Sequence, residues 1–260
     1  MDVSNRTTEQ LLDMLDFDFF ELLDSVTIAR SRKHIQKYYD KEAIGNFPKR
    51  LTPINKSPKL TDLDISYNQI FLFIDRLNLE VYNPLQYVYP SKISKYIDES
   101  RPNAASWGNR EKGRNQLMVT NLLKRAESSI YSFRLTSERI LSNIDHKLQT
   151  ISNYEKYKQG IIENIEDDFE EDTFTVGKDL KIDLADMDYL SWREKLLADQ
   201  NVFMELLNLI KVITPDHDAK LSELTALIRN KIQHPINANN HKIIIFTAFS
   251  DTADYLYNYL

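Results

Sequence analysis

The sequence contains no cysteine, which excludes disulfides, thiolate metal centres and cysteine nucleophiles together. Glycine is nearly as scarce, at five residues, where average usage near 7% would give roughly 18. Nucleotide-binding sheets need glycines that let backbone N–H groups approach phosphate, so a complete nucleotide site is not expected. Long apolar runs are missing too: none approaches the ~20 residues that span a bilayer, and nothing resembles a signal peptide. The expected setting is a reducing cytosol or a nucleus, and of the two the cytoplasm is the expectation. What remains is 260 residues, 42% of them hydrophobic, which is enough for a packed core. The formal net charge of −6 offers no global attraction for nucleic acid, but its sign is unevenly spread.

Helical periodicity dominates the rest. Thr7 with Gln10 reads as a capping box, and Leu11, Leu15, Phe19, Leu22 and Leu23 follow at helical spacing, continuing into Ile35 and Tyr39. Prolines 48, 53, 58, 84 and 90 then loosen the pattern, leaving room for one helix over roughly Asp62 to Leu79. Val119, Leu122, Ala126, Ile130, Phe133, Ser137, Ile140, Ile144, Leu148 and Ile151 step by three or four without interruption. Their spacing predicts one continuous helix from Asn115 to Lys158, on the order of 60 Å long at ~1.5 Å per residue, stopped at Gly160. An acidic stretch from Glu163 to Asp172 reads as a solvated linker. Helix resumes from Asp188 to Val212. Thr214 and Pro215 start another helix that must end by Pro235. The last segment changes character: Lys242-Ile-Ile-Ile-Phe-Thr-Ala-Phe249 has the pattern of a buried strand, and Ser250 to Leu260 that of an amphipathic helix. A lone parallel strand lacks ladder partners, so the expectation is a piece of a longer protein.

Two clusters of cations stand out. Arg30, Arg32, Lys33 and His34 form the first; Arg110, Lys112, Arg114, Lys124 and Arg125 form the second, near Trp107. Residues 101–158 carry eleven Lys and Arg against five acids, so a backbone-binding face for nucleic acid is compatible with the acidic total. Solvation of helix faces accounts for the same charges without a ligand. Thr247 and Phe249 lie at the carboxyl end of the expected strand, where open α/β sheets bind ligands. Other candidates fail on chemistry. Gly177-Lys178 is followed by Asp179, and Asp172 stands where a phosphate loop needs its first glycine. Asp98-Glu99 follows a polar run beside Pro102, unlike an acidic pair ending a buried strand. His34, His146, His217 and His241 have no metal spacing, and Asp216-His217-Asp218 reads as acids at a helix start. Tyr38, Tyr39, Tyr82, Tyr87 and Tyr89 read as packing residues. No catalytic residue, metal ligand or cofactor site is assigned within the chain.

Four segments resemble one family. Val26-Thr-Ile-Ala-Arg-Ser-Arg-Lys-His34 resembles the basic segment after the first motor lobe in Swi/Snf-related ATPases of helicase superfamily two. Asn121-Leu-Leu-Lys-Arg-Ala-Glu-Ser-Ser-Ile130 with Phe133 is similar to a helix of that group's bacterial helicase-like branch. Asp218-Ala-Lys-Leu221 resembles the lead-in to the second motor lobe, and Lys242 to Leu256 that lobe's first strand and helix. The segments keep the family's order and cover fewer than half of the residues. The resemblance implies a fragment of a DNA-dependent, ATP-hydrolysing translocase whose two RecA-like lobes clamp ATP and Mg outside this chain. It adds weight to Arg30–His34 as DNA ligands and suggests a strand-backbone contact at Thr247. The expected fold is mainly α: a long-helix bundle with a C-terminal βα unit that begins a RecA-like lobe. The expected division is 1–50 (end of the first-lobe region and basic helix), 51–160 (helical insertion with the long helix), 161–235 (acidic linker and helices) and 236–260 (start of the second lobe). Expected partners are duplex DNA, through its backbone, and the motor lobes of the same polypeptide, with no membrane. The chain alone is expected not to hydrolyse ATP. Two alternatives stay open: a stand-alone helical protein-interaction module, and a HEPN-type ribonuclease, because Arg229-Asn-Lys-Ile-Gln-His234 fits the R-N-x-x-x-H pattern. Pro235 weighs against the second by disfavouring a helical His234.

Overall fold

The computed structural model describes Phe19, Ser25, Val26 and Ile35 and residues 52–96, 107–160, 175–176, 181–236 and 239–260, with the backbone alone for 107–114 and 175. The chain divides into two compact units, Met1–Lys56 and Ser57–Leu260. In the first, the four isolated positions Phe19, Ser25, Val26 and Ile35 are helical; the remainder of the expected Thr7–Tyr39 helix lies outside the described residues. The architecture that follows is that of the second unit, which is mainly α-helical. The acidic stretch from Glu163 to Asp172, Asp98-Glu99 and Gly177-Lys178 also lie outside the described residues.

Helix α1, Tyr67–Asp75, is shorter than the expected Asp62–Leu79. Its start is set by a capping box: the Ser66 hydroxyl accepts from the N–H of Gln69, and the Gln69 side chain accepts from the N–H of Ser66 at 2.8 Å. Upstream, Thr61 pairs with Asp218 in an isolated antiparallel bridge, which takes that stretch away from helix. After α1 the backbone passes through Leu79 with φ +58° and makes short 3₁₀ turns at Glu80–Tyr82 and Pro84–Tyr87. A single helical turn, α2 (Ile93–Tyr96), follows.

The expected continuous rod is two helices, α3 (Trp107–Ser128) and α4 (Ile130–Lys158). Ser129 between them is extended (φ −158°, ψ 146°), and its hydroxyl caps α4 by accepting from the N–H of Ser132. The chain turns back there. A straight rod would set Asn115 and Asp145 about 45 Å apart, yet Asn115 donates to the carbonyl of Asn78 at 2.9 Å, Asn78 donates to Asp199 at 2.7 Å, and the neighbouring Gln200 donates to Asp145 at 2.6 Å. The stripe Leu122, Ala126, Ile130, Phe133, Ile140, Ile144 and Ile151 is buried as expected, because both helices turn their apolar faces to one core. Beyond α4, Gly160 adopts φ +68°, a conformation glycine takes without strain.

A two-residue antiparallel pair, β1 (Thr175–Val176) with β2 (Ile182–Asp183), precedes α5 (Tyr189–Ile210). Asp188 caps α5, as its expected start implies. Helix α5 packs antiparallel along α4, since Arg193 meets Glu155 at 2.8 Å while Gln200 meets Asp145. Trp192, Leu196, Phe203, Leu206 and Ile210 are all fully buried in this seam. Pro215–His217 is a 3₁₀ turn; the helix expected at Thr214 begins at α6, Ala219–Gln233, capped by Asp218. Helix α7 spans Ser250–Tyr259. The expected strand Lys242–Phe249 enters no ladder with any described residue. Its pattern fits a strand buried on both faces, but a ladder needs neighbours; here Ile244 and Phe246 are 78% and 90% exposed.

Candidate nucleic-acid interface

Of the ten residues expected to contact nucleic acid, Arg30, Arg32, Lys33 and His34 lie outside the described residues. Arg110, Lys112 and Arg114 lie on the first two turns of α3. Lys124, Arg125 and Thr247 are brought to one place, the corner where α3 meets α4 and α7 docks.

The corner is built from the Ser128-Ser129 break. Both serine hydroxyls lie 2.9 Å from the hydroxyl of Thr252 on α7, and Ser128 is 3.4 Å from that of Thr247. Thr247 also accepts from the N–H of Phe249 at 3.3 Å, closing the turn into α7. Thr252 and Ser129 are buried, so these hydroxyls satisfy one another where water is scarce. From the other side, one oxygen of Asp218 accepts the N–H groups of Lys220 and Leu221 at 2.9 Å, and the other accepts the phenol of Tyr255 at 3.0 Å. That carboxylate thus ties the start of α6 to α7. Burial, followed by the Asp218 charge and hydrogen bond, pushes the Tyr255 phenol well above its usual range, so it stays a donor. Tyr255 stacks on Tyr131 of α4 at 4.9 Å, nearly parallel, and the Lys220 ammonium donates to the carbonyl of Glu127.

The cations of this corner differ in availability. Lys124 is exposed and has no ion-pair partner among the described residues. Arg125 is only 19% exposed; it donates to Asp251 at 2.8 Å and to Ser132 at 3.0 Å, and lies over the Phe249 ring at 4.5 Å. Its Nε is buried without a hydrogen-bond partner. Arg139, from α4, reaches the same carboxylate at 3.3 Å. Burial alone would raise the Asp251 pKa, but the Arg125 and Arg139 hydrogen bonds and charges outweigh it and hold the carboxyl below its usual range. Arg139 and Arg134, which lies over the Tyr131 ring, were not singled out from the sequence. Both sit on α4, and the reversal at Ser129 lets Arg139 converge with Arg125 on the one Asp251 carboxylate.

His217 pairs with Asp62 at 3.0 Å beside a shallow cleft of about 300 Å³ lined also by Asp216, Ser222 and Glu223. No group of three potential ligands converges on a metal position among the described residues. Arg229 and His234 are exposed, and His234 ends α6 with its Nδ1 3.2 Å from Asn230. No helix among the described residues is long and apolar enough to cross a membrane. No protein-family model, curated protein or solved structure matches the chain.

Proposed function

We propose that the chain carries the helical region that joins the two motor lobes of a Swi/Snf-related, DNA-dependent ATPase, and that its role is mechanical and DNA-facing. One observation carries this reading. Three of the resembling segments, 121–130, 218–221 and 242–256, are about 90 or more residues apart between the first and the others, yet they interlock: Arg125 with Asp251, Ser128 and Ser129 with Thr252, and Asp218 with Tyr255. A motor needs such a junction. Movement of the second lobe, which begins with 236–260, reaches the helical bundle through α7; Thr247 lies at that contact, and Lys124 precedes Arg125 on α3. In this reading 242–249 is the first strand of a RecA-like lobe and acquires its ladder from that lobe. ATP and Mg are bound and turned over by the lobes, and the chain acts in the cytoplasm on duplex DNA through backbone phosphates.

Fluorescence anisotropy with a labelled duplex tests the DNA-facing role. Weak binding is expected, falling with salt because the counterions that binding releases from the duplex gain less entropy as the bulk salt rises. Lys124→Ala is expected to weaken it about two- to fivefold and reduce the log–log salt slope by about 0.9, the contribution of one phosphate contact. Absence of any binding at low salt would leave the chain a helical protein-interaction module. Turnover of ATP by the purified chain would contradict the assignment of chemistry to the lobes.

A further inference from the structure

We infer that Arg125 and Arg139 form a phosphate-binding fork in which Asp251 is seated as an internal competitor, so that this chain holds the anion site closed. The inference rests on the DNA-facing reading above and specifies how that face is regulated.

The fork is preorganised. Arg125 is fixed by Ser132 and by the Phe249 ring, with most of its surface covered. Arg139 approaches from α4 and remains 62% exposed. Asp251 presents two oxygens: one accepts from Nη1 of Arg125 at 2.8 Å and from Nη1 of Arg139 at 3.4 Å, the other from Nη2 of Arg139 at 3.3 Å. A phosphodiester presents the same pattern, two oxygens on one centre sharing one negative charge, and guanidinium groups match both.

The internal ligand fits imperfectly. Two positive charges face one carboxylate, leaving an excess of one. The Arg139 contacts are longer than the 2.7–2.9 Å usual for charge-assisted hydrogen bonds, and the Arg125 Nε lies buried without an acceptor. Asp251 is not needed to hold α7 in place, because Thr252 and Tyr255 anchor that helix through Ser128, Ser129 and Asp218. A rotation of the Asp251 side chain is therefore enough to open the fork while α7 stays docked. A nucleic-acid phosphate entering there displaces a carboxylate, so apparent affinity is lowered by the competition.

The test is a set of charge variants titrated with a labelled DNA duplex across a salt series. Asp251→Asn frees both arginines. It is expected to tighten binding about fivefold at low salt and to steepen the salt slope by about 0.9, the contribution of the one phosphate the fork holds. Asp254→Asn, an equal charge change at an exposed position of α7 without an ion pair among the described residues, is expected to stay within about twofold of wild type, since it adds no contact. Arg139→Gln is expected to matter little in the native background and to abolish the gain in the Asp251→Asn background, a coupling a merely structural pair would not give. The inference is overturned if Asp251→Asn gains no more than Asp254→Asn, or if Arg139→Gln acts equally in both backgrounds. It fails alone if wild type binds DNA and Asp251→Asn changes nothing; if neither binds at the lowest salt, the DNA-facing reading fails with it. Should Asp251→Asn melt well below wild type, Asp251→Ser, which keeps a first-turn hydroxyl, is read in the same way.

Discussion

Asp199 places a carboxylate on the inner face of α5, fully buried between Leu196 and Val202. Burial raises its pKa; the opposing force comes from the N–H groups of Asn78 at 2.7 Å and Glu80 at 3.1 Å, with the Asn78 side chain at 3.3 Å. These donors belong to the segment around Leu79, whose left-handed conformation points them inward. Asp199→Ala is expected to cost about 2–4 kcal/mol, because it strands the half-buried backbone donors of Asn78 and Glu80 as well as deleting a contact; urea unfolding checks this. Asp186 has the opposite shift: hydrogen bonds from Lys95 at 2.7 Å and Tyr96 at 2.6 Å hold it below its usual range. A lowered carboxyl contributes fully above its unfolded value near 4, and the contribution is lost as pH falls through the folded value. The raised Asp199 runs the other way, contributing most below that unfolded value and less as pH rises. Asp186→Asn should therefore flatten the acid limb of a stability–pH profile, while Asp199→Asn should not. Neither role was legible from the chain. An acid at position 199 in a polar-looking stretch reads as solvent-facing, because its partners are backbone groups some 120 residues away.

Element boundaries were readable where a side chain marks them and unreadable where tertiary contact decides. Asp188 before α5, Pro235 after α6 and Gly160 after α4 all act at the expected places. The break at Ser129 was hidden for a physical reason. Apolar spacing of three and four residues continues through Ala126, Ile130 and Phe133, since α3 and α4 face the same core across a one-residue extended link. Ser132 at the third helical position, in place of Glu or Gln, withholds the capping-box signature. Ser129→Ala removes the cap and the bond to Thr252 together. The expected loss is about 1–2 kcal/mol, with Ser128→Ala costing less because Ser128 is already within α3. Thermal unfolding by circular dichroism separates the two variants.

Taken across residues 57–260, the fold is an α4–α5 seam with α3 folded against it and the α6–α7 end fastened at the corner. Most of the seam could be read in advance from helical periodicity. The segment 242–249 could not, since hydrophobicity specifies a wish for burial while pairing must come from other strands, and no described strand lies beside it. This contrast yields a test at the scale of the molecule. Phe133 is fully buried, so Phe133→Ala is expected to lower stability by about 3–5 kcal/mol. Ile244→Lys combined with Phe246→Ser replaces two large apolar side chains that stand in solvent, and surface changes of that kind stay within about 0.5 kcal/mol. The double variant should therefore unfold at the wild-type urea midpoint while scattering less light on concentration, because exposed apolar patches drive association. A fall in the midpoint comparable to that of Phe133→Ala would mean that the segment is packed in solution, and the picture of an unpaired 242–249 would have to be given up.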